Sequence, residues 1–156
     1  MSEIVNIVVA GLGGQGALKA TDIIAEVAFR AGFDVKKSEV HGMSQRGGSV
    51  ASDVRFGERV ASPMVPPGEA DFLIVLDPTQ LEVNRDVLKP GGVLIDPSAI
   101  EGHLLASKKS LNVALLGRLS WYLPFSEQAW TEAVQAHLAP RLHDANAAAF
   151  LIGRAE

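Results

Sequence analysis

A glycine-rich turn near the start of the chain has the residue types and spacing that bind anionic groups. The apolar stretch 4–10 leads directly into Gly11-Leu12-Gly13-Gly14-Gln15-Gly16, and a stretch with helical periodicity follows. In the pattern G-x-G-x-x-G, glycines permit a tight turn, close approach of a diphosphate and close packing of the helix on the strand. The free N–H groups and the dipole of the helix then favour an anion. The candidate cofactor-binding residues are Gly11, Gly13, Gly14, Gln15 and Gly16.

A second glycine-rich segment follows the second predicted strand, where ligand and partner contacts concentrate in open α/β folds. His41 could titrate near neutral pH, and Arg46 could form a forked contact with a carboxylate or phosphate. A hydrogen-bonded structural histidine and an ion pair from Arg46 to Glu39 are the alternatives. Ser44 has no evident base to activate it, so we expect no nucleophile here. We expect ligand or subunit contact from His41, Gly42, Met43, Ser44, Gln45, Arg46 and Gly47.

The first glycine loop by itself also fits a dinucleotide site. Such a site needs an acidic residue at the end of the second strand, about twenty residues further on. Glu39 is the only candidate, and it runs directly into His41-Gly42 instead of ending a clean apolar strand. A free-standing NAD(P)-dependent dehydrogenase module is therefore the second hypothesis. A third interpretation is that the glycines serve only close packing of the helix on the sheet.

Alternating strand and helix patterns must position these loops. We predict an α/β fold with a Rossmann-like, doubly wound, mostly parallel sheet and C-terminal helices, formed by residues 1–156 as a single domain. Trp121 and Trp130 lie in the helical tail, and we expect one or both to anchor the core or a subunit interface. The predicted strands are 4–10, 34–40, 50–56, 71–76 and 93–95, with a turn at 89–92. The predicted helices are 16–31, 79–88, 111–123, 126–138 and 141–152.

Composition excludes several classes of function. The chain has no cysteine, and therefore no thiolate for zinc or an iron–sulfur cluster. The other histidines, at positions 103, 137 and 143, show no metal-ligand spacing, so no metal site is predicted. A net charge of −4 argues against nucleic-acid binding. No apolar run is long enough for a membrane span, and the N-terminus lacks the basic region of a secretory signal, so we expect a cytoplasmic protein.

Together the two motifs resemble the gamma component of the 2-oxoacid:ferredoxin oxidoreductases. The sequence G-L-G-G-Q-G, followed by S-E-V-H-G-M-S-Q-R-G-G-S-V, is most similar to the small (beta) subunit of the indolepyruvate branch. The thirteen-residue stretch is far more specific than the first loop. Similarity continues through the tail, at Leu116-Gly117, at 126–130 and at 146–150, so that it covers nearly the whole chain.

The resemblance implies a subunit that is inactive alone and contributes no catalytic residue. A large partner subunit would carry thiamine diphosphate and iron–sulfur clusters, decarboxylate the 2-oxoacid, and pass electrons to ferredoxin and the acyl group to coenzyme A. In that setting the loop at 11–16 would meet an anionic ligand, with coenzyme A at a subunit boundary a better candidate than NAD. Phenylglyoxylate, branched-chain 2-oxoacids and 2-oxoglutarate stay open as substrates beside indolepyruvate.

One segment departs from the family pattern. Relatives usually carry a longer segment between the fifth strand and the tail. Here the segment from Pro97 to Ser110 is short and carries Lys108-Lys109. Any contact that the longer segment makes in relatives is therefore not expected in the same form in this chain.

Overall fold

A mixed sheet of five strands forms the centre of the molecule in the computed structural model, which describes residues 3–41, 48–100 and 104–155, without the side chains of residues 40 and 41. The strand order is β2-β3-β1-β4-β5. The strands are β1 (Val5–Leu12), β2 (Asp34–His41), β3 (Ser49–Gly57), β4 (Ala70–Val75) and β5 (Leu88–Ile95).

Strand β3 lies between β1 and β2 and runs opposite to both. Val5 stands opposite Phe56 in the antiparallel β1–β3 pair, and Val35 stands opposite Phe56 in the antiparallel β2–β3 pair. The β1–β4 and β4–β5 pairs are parallel. Only residues 42–48 connect β2 to β3, which is too short for the crossover that parallel neighbours require. The predicted mostly parallel sheet is therefore a mixed sheet.

The long helices of the described residues pack on one face of this sheet. Ile7 and Val9 of β1 belong to the same apolar cluster as the buried residues of these helices. Val8 and Ala10, on the opposite face, pack instead against Val65 and a short helical turn. The doubly wound arrangement is therefore not confirmed. The helices are α1 (Ala17–Arg30), α2 (Leu81–Asn84, a single turn), α3 (Leu111–Leu119), α4 (Glu127–His137) and α5 (His143–Arg154).

The segment after β4 differs from the predicted helix at 79–88. It forms a 3₁₀ turn at Pro78–Gln80, then α2, then another 3₁₀ turn at Arg85–Val87. The predicted turn at 89–92 lies within β5, as an irregularity in its pairing with β4. Gly91, with a φ of 81°, permits this irregularity.

Two glycines bring α3 and α5 into backbone contact. A Cβ atom on Gly153 would lie 1.7 Å from the Ala114 carbonyl oxygen, and one on Gly117 would lie 2.1 Å from the Phe150 carbonyl oxygen. No other residue type fits at either position, because any side chain would overlap backbone. The position of Asn112 and the rest of α3 beside the sheet thus depends on these glycines.

An aromatic cluster joins the C-terminal helices to the sheet. Phe125 lies 5.7 Å from Phe56 of β3 and 6.2 Å from Trp130 of α4, measured between ring centroids. Trp130 is fully buried, which confirms the expected core role for one of the two tryptophans. None of the described helices is long and apolar enough to cross a membrane.

Candidate functional site

The glycine loop occupies the crevice between two parallel strands at the carboxyl edge of the sheet. β1 and β4 are neighbours, yet the chain leaves β1 toward β2 and β3 on one side and leaves β4 toward β5 on the other. Such a reversal of strand order opens a crevice outside the strand ends, where ligands bind in open α/β sheets. The loop from Gly11 to Gly16 joins β1 to α1, as the predicted strand–turn–helix order requires, and it lies at this crevice.

Two of the loop glycines adopt a conformation that side chains disfavour. Gly14 has a φ of 89° and Gly16 a φ of 91°. A Cβ atom on Gly16 would lie 2.4 Å from the Asn112 amide nitrogen, whereas one on Gly14 would meet nothing within 4 Å. Asn112 donates a hydrogen bond of 3.2 Å to the Gly16 carbonyl. Gly16 therefore allows the loop to contact α3, while Gly14 faces open space.

Gln15 holds the loop closed and links it to the next strand. Its side-chain oxygen accepts a 2.7 Å hydrogen bond from the backbone N–H of Leu12, and its amide nitrogen donates a 2.9 Å hydrogen bond to Asp77. The hydroxyl and backbone N–H of Thr79, followed by the Gln15 amide, hold the pKa of Asp77 below its ordinary value. Gln15 thus crosses the crevice with both of its polar atoms already bonded.

Some backbone N–H groups around the loop are bonded within the protein, and others, at the start of α1, have no side-chain cap. Leu12 donates to Gln15, and Gly13 donates a 2.9 Å hydrogen bond to the Gly48 carbonyl. Helix α1 begins at Ala17 without a side-chain cap and without an acidic residue in its first turn. An uncapped N-terminus leaves N–H groups and a partial positive charge at the loop. This end of the helix favours an anion, as the sequence predicts.

A cavity of about 750 Å³ lies between the glycine loop and the segment that leads into α3. Lys108 and Lys109 line it and are exposed. Within the described part of the chain, neither lysine forms an ion pair. The cavity therefore combines a positive rim with apolar walls, which suits an anionic group on an organic molecule. Its described lining is Gly14, Gln15, Gly16, Pro97, Leu105, Lys108, Lys109 and Leu111.

Sequence reasoning did not assign the two lysines to the site. They lie about ninety residues from the glycine loop, and only the tertiary structure places them on the same cavity. The sequence signal that could have found the two lysines is their position directly before the first predicted helix of the tail. In the structure, Ser107 accepts a hydrogen bond from the Lys109 N–H, and α3 starts at Leu111.

Gly11 has a packing role. It is the seventh residue of β1, and a Cβ atom there would lie 3.1 Å from Leu76 and 3.0 Å from the Gln15 side-chain oxygen. Its absent side chain makes room for Gln15 and for the residue that follows β4. The other four candidates, Gly13 to Gly16, form the turn itself.

The second glycine-rich segment lies largely outside the described residues. His41 is the last residue of β2, opposite Val50, and Gly42, Met43, Ser44, Gln45, Arg46 and Gly47 are not described. Its roles stay predictions. The next residue, Gly48, is described and lies beside the first glycine loop, because its carbonyl accepts the hydrogen bond from Gly13.

The sheet order argues against a dinucleotide site. Glu39 lies on β2, opposite Ser52 of β3, so β3 separates it from β1. Two strand spacings amount to about 10 Å. Glu39 also lies within 4.0 Å of Lys37 on its own strand. Glu39, the candidate for binding a ribose in a nicotinamide site, is thus on a strand that is not a neighbour of β1.

The fold and the site together define an α/β domain in which a glycine loop, a helix N-terminus and a cavity meet at the carboxyl edge of a mixed sheet. Comparison with known proteins assigns the family. The family described as pyruvate ferredoxin/flavodoxin oxidoreductase matches residues 6–103. The chain therefore belongs to the pyruvate ferredoxin/flavodoxin oxidoreductase family.

Curated relatives place it further within this family. The chain is 33% identical to the indolepyruvate oxidoreductase subunit IorB of Thermococcus kodakarensis, over 95% of this chain and 93% of the relative. It is also 33% identical to IorB of Archaeoglobus fulgidus, over 95% of this chain and 92% of the relative. The first match extends over 188 aligned positions, more than the 156 residues of this chain, so the relative carries additional residues.

Solved structures share the fold. The gamma subunit of a keto/oxoacid ferredoxin oxidoreductase from Geobacter sulfurreducens superposes with a TM-score of 0.80 at 22% identity, over 97% of this chain and 95% of that chain. The 2-oxoglutarate:ferredoxin oxidoreductase of Magnetococcus marinus superposes with a TM-score of 0.83 at 22% identity, over 99% of this chain but 31% of that longer chain. The described residues contain no group of three or more acidic or histidine side chains that could hold a metal ion.

Proposed function

We propose that this chain is the small subunit of a thiamine diphosphate-dependent 2-oxoacid:ferredoxin oxidoreductase, with indolepyruvate or another aryl pyruvate as the substrate. The reaction is an oxidative decarboxylation to an acyl-coenzyme A, with the chemistry on a larger partner subunit. The observation that carries the proposal is the match to IorB subunits over nearly the full length of both chains. We further propose that residues 1–156 form one gamma-type domain.

The absence of cysteine from this chain supports the assignment of the iron–sulfur clusters to the partner subunit. Iron–sulfur clusters are held mainly by cysteine thiolates, and the chain has no cysteine. Electron transfer to ferredoxin would therefore run through the larger subunit. The contribution of this chain is then to complete a binding surface and not to perform a redox step.

The cavity beside the glycine loop fits the phosphate groups of coenzyme A. Lys108 and Lys109 provide cations without ion-pair partners among the described residues, and α1 provides an uncapped N-terminus. Gly14 leaves space for close approach of a ligand to the backbone. Coenzyme A supplies the thiol that accepts the acyl group. In this proposal Gly13, Gly14, Gly16 and the two lysines orient its anionic part at the boundary with the partner.

The alternative is that the complex acts on a related 2-oxoacid, and one partial match supports it. The common gamma subunit of the pyruvate/ketoisovalerate oxidoreductases of Thermococcus kodakarensis is 36% identical over 54% of this chain. That match covers 47% of the relative, whereas the IorB match covers 93%. The longer match favours the indolepyruvate branch.

Co-expression with the large-subunit gene tests the proposal. The chain should co-purify with a larger, cysteine-rich subunit, and the complex should reduce ferredoxin in the presence of indolepyruvate and coenzyme A. The same complex should be assayed with pyruvate, 2-oxoglutarate, phenylglyoxylate and a branched-chain 2-oxoacid to rank the substrates. Tight binding of NADH by the isolated chain, or the absence of a complex, would overturn the proposal.

A further inference from the structure

Three neighbouring side chains at the end of α3 form a partly exposed group of two aromatic rings and a cation. Trp121 is 49% exposed and Tyr122 is 44% exposed, although both follow a fully buried helix residue, Leu119. The guanidinium of Arg118 lies 4.1 Å from the centroid of the Trp121 ring. We call Arg118, Trp121 and Tyr122 the α3 platform.

The side chains of the α3 platform are fixed in place although they are half-exposed. The Trp121 indole N–H donates a 2.6 Å hydrogen bond to the carbonyl of Arg154, at the end of α5. The Tyr122 ring packs 5.5 Å from the buried Phe72 ring of β4. These contacts order the platform before any partner arrives, so that binding costs little side-chain entropy.

The residue types of the platform are those that dominate protein interfaces. Tryptophan, tyrosine and arginine are enriched among the residues whose truncation costs most binding energy. Two adjacent large aromatic side chains that stay half-exposed on an ordered turn are unfavourable in an isolated protein, because their apolar surface remains in contact with water. A partner that covers them would remove this surface from water.

The electrostatics of the platform indicate what the partner presents. Among the described residues, no carboxylate pairs with Arg118. Arg154, beside Trp121, donates to the hydroxyl of Ser120 and forms an ion pair of 3.8 Å with Glu127. The platform is therefore apolar, with the positive charge of Arg118, unpaired among the described residues, at its margin. A partner surface that presents a carboxylate beside an apolar side chain is complementary to the α3 platform.

We propose that the α3 platform docks the larger subunit of the oxidoreductase through an acidic and apolar segment of that subunit. The inference rests on the proposed function. A second copy of this chain is a poorer fit, because a twofold interface centred on the platform would bring Arg118 against its own copy. The occurrence of this fold as 31% of the longer Magnetococcus chain shows that such a domain can be accompanied by other parts of an oxidoreductase.

The test measures assembly of the co-expressed complex by native mass spectrometry and by titration of the purified subunits at two salt concentrations. Arg118→Glu and Trp121→Ala should each weaken assembly at least tenfold, and Arg118→Glu should act most strongly at low salt. The matched controls are Arg141→Glu, an exposed arginine two residues before the start of α5, and Phe29→Ala, a 70% exposed aromatic on α1. Both controls should assemble like the wild type.

Circular dichroism of each isolated variant separates assembly from folding. If Trp121→Ala fails to fold, Arg118→Glu carries the test, because Arg118 makes no side-chain hydrogen bond within the described structure. Normal assembly of the Arg118 variant in a complex that forms with the wild type would overturn the inference and leave the proposed function standing. A wild-type chain that forms no complex would overturn both. A dimer of the isolated chain that the platform variants disrupt would assign the platform to a second copy and overturn the inference.

Discussion

Gln15 donates a 2.9 Å hydrogen bond to Asp77, and this contact joins two loops that lie 62 residues apart in the sequence. One loop follows β1 and the other follows β4, so the bond spans the crevice between two parallel strands. The Gln15 side-chain oxygen simultaneously accepts the Leu12 N–H. A single glutamine thus sets both the closure of the glycine loop and its distance from the neighbouring strand.

Replacement of Gln15 should destabilise the fold in a pH-dependent way. Asp77 has a pKa below its ordinary value, first because of the Thr79 hydroxyl and N–H and then because of Gln15. A lowered pKa means that the ionised form stabilises the folded state at pH values above the unfolded-state pKa. This stabilisation is lost as the pH falls through the folded-state pKa.

Gln15→Leu should therefore lower the midpoint of urea unfolding at neutral pH, and the difference from the wild type should narrow as the pH falls below the ordinary aspartate range. Gln15→Glu should be the less stable variant at neutral pH, because it places a second carboxylate beside Asp77. Gln135→Leu, on the exposed face of α4, serves as the control. A pH-independent loss in both Gln15 variants would contradict the role given to Asp77.

Replacement of Gly16 by alanine should reduce the unfolding free energy far more than the same replacement at Gly32, which has a similar backbone conformation. Gly16 and Gly32 have φ values of 91° and 98°. A Cβ atom on Gly16 would also contact Asn112 at 2.4 Å, whereas one on Gly32 would contact nothing within 4 Å. We expect Gly32→Ala to cost about 1 kcal/mol of unfolding free energy and Gly16→Ala about 2–4 kcal/mol. Denaturant titration of the two variants measures the difference, and equal losses would mean that the Asn112 contact relaxes freely.

The crossing of α3 and α5 should not tolerate any side chain at its two glycines. A Cβ atom on Gly153 would lie 1.7 Å from a backbone carbonyl oxygen, and the helices cannot shift without separating Phe150 from the core. Gly153→Ala should cost more than about 3 kcal/mol, at the upper end of overpacking effects. Ala147→Ser, exposed on the same helix, should be nearly neutral. Thermal unfolding gives the comparison, and a wild-type melting temperature for Gly153→Ala would be incompatible with this packing.

Asp53 should give the opposite pH dependence from Asp77. Burial raises its pKa, and this outweighs the hydrogen bond from the Val65 N–H and the charge of Arg55. A raised pKa favours the protonated form in the folded state, so the contribution of Asp53 to stability is lost as the pH rises through the folded-state pKa.

Asp53→Asn should therefore be more stable than the wild type at neutral pH, because asparagine keeps an acceptor for Val65 without the buried charge. The advantage should disappear in acid, below the ordinary aspartate range. Unfolding free energies measured across the acid range test this, with Asp86→Asn, at an exposed position, as the control. An Asp53→Asn variant that is least stable at neutral pH would show that attraction to Arg55 outweighs burial.

The two lysines of the cavity should affect coenzyme A binding in the assembled enzyme, if the proposed function holds. Lys108→Gln and Lys109→Gln should each raise the KM for coenzyme A by about threefold to tenfold and leave kcat unchanged, because they remove binding that is the same in the ground state and the transition state. Lys36→Gln, on the distant strand β2, is the matched control. Steady-state kinetics with varied coenzyme A give the answer, and an unchanged KM in both variants would remove the lysines from the site.

Local patterns in the sequence determined much of this molecule. An apolar run followed by glycines predicts a strand, a turn and a helix because each signal acts within a few residues, and β1, the loop at 11–16 and α1 agree with that prediction. The tail helices are likewise where periodicity and prolines placed them. The thirteen residues from Ser38 to Val50 carried the family resemblance, which the match over residues 6–103 confirms.

Contacts between distant residues were decided only by the tertiary structure. The reversed direction of β3 depends on pairing with both β1 and β2, and strand direction leaves no trace in the alternation of side chains. The bond from Gln15 to Asp77 and the approach of Lys108 to the glycine loop depend on where the sheet and α3 bring segments together. The same holds for the α3 platform, since the sequence marked Trp121 and Trp130 alike and packing alone buried one and left the other half-exposed.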